Sequence, residues 1–319
     1  MSVLYLFGNG FDRAHGINTS YSDFRHFLEK NHGDFLHRFE AMYNIHPLDD
    51  TEPWYTDEAQ KRWIERVQKD LWVTFEEEMG KPNIEEMYDY AVSLAEEMPE
   101  IGVKDTLDWY WKNEYGFVQE LQAYILEWLK KDVDTSFATC KKDSLCHAQS
   151  DFIINFNYTD TIKRVYGIKN VLHIHGGLPT CSDIPPIIGH GNKYVIDSNR
   201  RKAKQCQDEC IEWAESIYDT IANYCEVLYK DTERIIAEHD SFFVSLKGVE
   251  EVICLGLSFG DVDIPYLQRI AREVESTTKW IIYYYDEKTH KRLKDVFGIL
   301  GISRSFEVYF LPSDSFWDR

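Results

Sequence analysis

Ile153-Ile154-Asn155-Phe156-Asn157-Tyr158-Thr159-Asp160 and, shortly after it, Val171-Leu172-His173-Ile174-His175-Gly176 are the two stretches that decide how this chain folds. Each is the pattern of a buried strand, and each ends in a burst of polar residues. In an open α/β sheet the ligand lies outside the carboxyl ends of the strands. Asn157, Thr159 and Asp160 therefore stand where chemistry is placed, and so do His173 and His175.

Working outward, the same form recurs. Residues 3–7 are apolar and run into Gly8-Asn9-Gly10; 251–257 lead into Gly256-Leu257-Ser258-Phe259-Gly260-Asp261-Val262-Asp263; 280–285 end in Asp286; 306–310 form a last run. Helical patterns separate them at 159–166, 266–274, where Pro265 suits the first turn, and 288–297. Strands alternating with helices predict an α/β fold with a doubly wound parallel sheet. Residues 185–191 read as a loop with room for one short strand.

Residues 20–148 interrupt that alternation. Ser20 and Asp23 are spaced as a capping box. Beyond them Ile64, Val67, Leu71, Phe75 and Met79 recur at three and four residues, as do Leu107, Trp111, Val118, Leu121, Ile125 and Trp128. The expected organisation is an α/β core of 1–19 plus 149–319 with a helical insertion at 20–148. A further helical segment lies near 200–240, with Ile211, Ala214, Ile217, Ile221, Cys225 and Leu228 as its apolar stripe.

The balance of 35 Lys and Arg against 55 Asp and Glu gives a net charge of -20, which opposes attraction to phosphate backbones and anionic membranes. Nucleic acid is disfavoured as a partner. No apolar run is long enough to span a bilayer, and Gly8 to Asp12 interrupts the apolar start before a signal-peptide core is complete. A cytoplasmic protein is expected. Seven cysteines (140, 146, 181, 206, 210, 225, 254) form no CxxC pair, so neither a disulfide framework nor a zinc ribbon is indicated.

Several features admit two readings. Gly8-Asn9-Gly10 is a tight turn or a phosphate loop, and Arg13 stands where a third glycine would complete the dinucleotide fingerprint. Cys206 and Cys210 read as two thiols on one helix. The basic cluster Lys193, Arg200, Arg201, Lys202 and Lys204 is a solvated helix end or a phosphate contact; Glu76, on a face with Trp72 and Phe75, is a surface acid or points at a pocket. His173 reads as a packed neighbour of the site, His190 in Gly189-His190-Gly191 as a lid or phosphate candidate, and His15 as a ligand contact or a structural ring. Asp261 and Asp263 cap a helix or hold Mg²⁺ in a nuclease.

Taken together, GNGFDRAHGINTSYSDF from Gly8, WVTFEEEMG from Trp72, FNYTDTIKRVYG from Phe156, HIHGG from His173, IIGHGN from Ile187 and LGLSFGDVDIPY from Leu255 resemble the bacteriophage abortive infection AbiH family over essentially the whole chain. That resemblance implies a role in phage defence, with a phage-derived trigger or partner protein and self-association left open. More distantly, the order of strand ends is similar to the Rossmann-like (Sir2-like) NAD-binding fold. This implies a parallel sheet holding an adenine dinucleotide, with NAD as substrate or ligand and no metal. Carried over, Gly8 and Gly10 match the pyrophosphate loop, within which Asn9 and Asp12 would be cofactor contacts, Asn157 the ribose amide, His175 and Gly176 the catalytic His-Gly, and Gly256 and Ser258 the adenosine turn. Tyr158 and Thr159 flank the amide as cofactor contacts.

Asp12 replaces the serine of that loop, and Asp160 comes one residue late. The sirtuin zinc cysteines are absent, which argues against deacetylation. The implied reaction is cleavage of the nicotinamide glycosidic bond, with His175 as base, Asn157 orienting ribose or water, Asp160 or Asp12 as electrostatic partner and Asp286, in competition with Asp261 and Asp263, accepting from an adenosine ribose hydroxyl. The alternative is a nucleotide-sensing module that binds without turnover and signals through its helical insertion.

Overall fold

The computed structural model describes residues 2–49, 51, 52, 55–97, 103–145 and 151–318. Cys146 and the expected core boundary at 148/149 lie outside the described residues. The chain divides into two compact units: residues 1–20, 125–187 and 231–319, and residues 21–124 and 188–230.

The first unit is built on a six-stranded, all-parallel sheet: β1 (Val3–Phe7), β2 (Phe152–Asn155), β3 (Leu172–His173), β4 (Glu251–Leu255), β5 (Lys279–Tyr284) and β6 (Glu307–Pro312). Their order is β3-β2-β1-β4-β5-β6. The chain therefore winds outward from β1 in one direction and, from β4, in the other, which makes the β1/β4 boundary a topological switch point. Register is regular, with Phe7 opposite Asn155 on one side and Leu255 on the other.

Alternation sends the strand residues to two cores. Leu4, Leu6, Ile154, Val252, Cys254, Trp280 and Ile282 join one cluster; Phe7, Ile153, Leu255, Ile281 and Tyr283 join the other. Full burial of such a side chain stabilises by roughly 1.5–3 kcal/mol. A sheet covered on both faces is why its strands read as continuous apolar runs. The exposed edge strand β6 closes on Pro312, a residue that suits an edge because it lacks an N–H to donate.

The second unit is helical. The periodic stretch around Val67 is not one continuous helix: Asp57–Val67 gives way to a π-helical turn, Gln68–Trp72, and then to the short helix Phe75–Glu78. The segment read as helical from 200 to 239 is likewise divided. Lys193–Asp208 and Glu212–Val227 pack on each other as a hairpin. The break has a clear cause: Cys210 lies at φ 60°, Ile211 N donates to Cys206 O and Cys210 N to Gln207 O. That left-handed pair of bonds stops a helix, so Cys210 is past the helix that carries Cys206. Among the described residues, no helix is long and apolar enough to cross a membrane.

Candidate functional site at the carboxyl edge of the sheet

The turn after β1 meets the turn after β4 backbone to backbone. Gly8 N donates to Leu255 O and Gly10 N to Gly256 O, both at 3.0 Å. A Cβ at Gly10 would sit 2.5 Å from Gly256 Cα, and one at Gly256, whose φ is 74°, would sit 2.5 Å from Phe11 N. The glycines read as a phosphate loop are needed first for each other. Two amides expected to face a pyrophosphate are spent inside the protein, and Asn9 is held through its side chain by the Thr19 hydroxyl.

The turn after β2 is tied to the same place. Asn157, buried, donates from Nδ2 to Gly8 O at 2.9 Å, and its own N–H is fixed by Asn155 Oδ1 at 3.2 Å. His173 Nδ1 approaches Asn157 O at 3.3 Å and Asn155 Nδ2 at 3.5 Å; burial lowers its pKa. Thr159 donates to Asp12 Oδ2 at 2.6 Å and itself accepts from Thr161 at 3.1 Å. The Asp12 carboxyl is fully buried, and that burial pushes its pKa up to about 6 against the pull of the two threonine hydroxyls. Asp160, half-buried, accepts from Thr135 at 3.1 Å.

His175 follows β3. Its ring is 3% exposed and packed against Phe156 at 5.4 Å, nearly edge-on, and against Tyr266 at 5.5 Å. Ile187 N donates to its carbonyl. Gly176 takes φ 68°, and a Cβ there would sit 2.1 Å from Pro185 O, so only glycine lets residues 184–185 run this close behind the histidine. Tyr158 donates from its hydroxyl to Ile187 O and accepts at its carbonyl from Leu178 N, which pins this loop to the turn after β2.

The structure thus brings Gly8, Gly10, Asp12, Asn157, Thr159 and Gly256 into one bonded cluster, with His173 attached to it. His175 stands beside Phe156 and Tyr266. Ser258 and Asp286 are exposed. Asp286 caps the helix Glu287–Ile299, accepting from Thr289 N at 2.7 Å, which lowers its pKa. Asn155 and Tyr266 were not singled out from sequence. Asn155 looked like part of the apolar run, and nothing in the spacing of Tyr266 announced that it would wall a histidine.

Other candidates find structural employment. His15 is held by Phe11 O at 2.8 Å and the Tyr166 hydroxyl at 2.7 Å. In the helical unit, His190 Nε2 bonds Cys225 O at 2.9 Å and Nδ1 accepts from Asn192 N at 3.1 Å, so the ring is a buried brace rather than a lid. Glu76 pairs with the buried Lys230. Arg200 is held by Asp219, Asn223 and Glu226 along one helix face, and Lys204 by Asp208. Among the described residues no three His, Cys, Asp or Glu side chains come together as metal ligands.

No curated protein and no solved structure shows a significant match to this chain. Residues 4–284, from β1 to the end of β5, match the family described as bacteriophage abortive infection AbiH, so the motifs that meet at this sheet edge belong to a chain that is a member of that family.

Proposed function

We propose that this AbiH protein is a cytoplasmic antiphage effector whose sheet unit binds NAD and cleaves its nicotinamide glycosidic bond. The reading takes the sheet as Rossmann-like and distantly sirtuin-like. The observation that carries it is the convergence of three separate segments at the switch point: Asn157 bonded to Gly8, Thr159 to Asp12 and His173 to Asn157. The strand order β3-β2-β1-β4-β5-β6 is also that of the doubly wound sheets that hold dinucleotides.

In this reaction water adds to the anomeric carbon of the nicotinamide ribose as the bond to nicotinamide breaks, giving nicotinamide, ADP-ribose and one proton. His175 takes that proton on its imidazole, which Phe156 and Tyr266 hold in place. Asn157, anchored by Gly8, orients the ribose; Asp160 supplies negative charge nearby. The phosphates fall to donors other than the amides of Gly8 and Gly10. A phage-derived trigger or partner protein would release the activity.

Purified protein incubated with NAD, alone and with extract from phage-infected cells, tests the reading by chromatography of released nicotinamide. Cleavage is expected under at least one condition, with His175→Ala slower by about 100-fold or more. Absence of cleavage in both, or an undiminished variant, sinks it. The committed Gly8 and Gly10 amides favour one competitor, a module that senses a nucleotide without turnover. Recovery of intact nucleotide with the purified protein would support that reading.

A further inference from the structure

Asp12 is 0% exposed, yet among the described residues it has no cation beside it. Its Oδ2 accepts from Thr159, and its Oδ1, equally closed to solvent, has no hydrogen-bond partner. The groups that face it are the hydroxyls of Thr159 and Thr161, the carboxylate of Asp160 and the half-buried thiol of Cys181; none is positive. Arg13, next to it in the chain, is exposed. A buried carboxylate that lacks a counter-ion costs stability when ionised. If the only task were to receive the Thr159 hydroxyl, asparagine would do it without charge.

Asp12 also sits where a ligand would arrive: it is in the turn after β1, and Thr159 is in the turn after β2, both at the carboxyl edge of the sheet. We propose that Asp12 is a ligand-reading carboxylate, whose Oδ1 accepts a hydrogen bond from a sugar hydroxyl of the nucleotide bound at this edge. This assignment rests on the nucleotide-binding reading and moves the acidic sugar contact from Asp286, which is occupied as an exposed helix cap, to the buried end of the first loop.

Its signature is opposed effects on stability and binding. The folded pKa of about 6 lies above the ordinary 3.8, so the favourable contribution of this group is complete below pH 3.8 and is lost as pH rises through 6. In a His175→Ala background, which prevents turnover, Asp12→Asn should melt a few degrees higher than its parent at pH 8 and level with it near pH 4. It should bind NAD at least tenfold more weakly at pH 8, by calorimetry. Thr159→Val, which removes the hydroxyl that stabilises the ionised form, should move the pH midpoint of NAD binding upward. A melting point at pH 8 below the parent's would make Asp12 a structural acceptor and overturn the proposal, as would unchanged NAD affinity in Asp12→Asn. If the parent itself binds no NAD, the nucleotide reading falls and takes this one with it; if the parent binds and the variant binds equally, this one falls alone.

Discussion

In the helical unit Arg25 is 2% exposed and meets Glu40, also 2% exposed, through Nε at 2.8 Å and a second nitrogen at 3.2 Å, while Trp72 donates to the same carboxylate at 2.8 Å. In the sheet unit Asp12, more deeply buried still, accepts from the Thr159 hydroxyl, which accepts in turn from Thr161. The first arrangement is closed: charge, counter-charge and hydrogen bonds are complete within the protein. The second is left acidic and partly unsatisfied. On the proposed reading, the contrast is between charge kept for architecture in the helical unit and charge kept for a ligand at the strand ends.

The hardest way to break the comparison is to open the closed pair. Glu40→Ala leaves the Arg25 guanidinium buried without its partner and strips Trp72 of its acceptor, so a loss of about 3–5 kcal/mol is expected in urea unfolding. A loss under about 1 kcal/mol would show that Arg25 finds water, and that the helical unit is not closed after all.

The next effect comes from pH. Burial lowers the His190 ring from 6.5 to about 4. Its contribution is present above pH 6.5 and is lost as pH falls to 4, up to about 3 kcal/mol. Asp12 runs the other way and gains as pH falls from 6. Melting curves should therefore show an acid limb that steepens in Asp12→Asn, where the opposing carboxyl no longer titrates, and flattens in His190→Gln.

The smallest effect sharpens the comparison at an intermediate case. Lys230 is fully buried, but its partner Glu76 keeps 17% of its side chain in solvent. Lys230→Met should cost about 1–2 kcal/mol, because the carboxylate left behind can turn to water. A cost equal to that of Glu40→Ala would mean that partial exposure gives no relief.

Much of the sheet was legible because strands covered on both faces are largely apolar, so most of them announce themselves as runs ending in polar turns. Their order was not, since residues 4–7 and 252–255 pair only through the backbone and carry no complementary side chains to match. The helical hairpin was hidden for a similar reason: its break at Cys210 depends on a left-handed residue that is usually glycine and here is not. At the site, the polar residues were visible and their partners were not. Nothing in Gly8-Asn9-Gly10 says that the glycine amides point at Leu255 and Gly256 rather than outward. The pairing of Asn157 with Gly8 likewise spans 149 positions that no local pattern encodes.

The close approach of Gly10 to Gly256 also gives the molecule a built-in clock. Because Gly10 N–H is given to Gly256 O across the switch point, that proton exchanges with deuterium only when the turns after β1 and β4 part. Most ligands slow exchange where they bind. A nucleotide that wedged its phosphates between these two turns would instead hasten it at this one position, whereas a nucleotide lying over the closed turns would leave it slow.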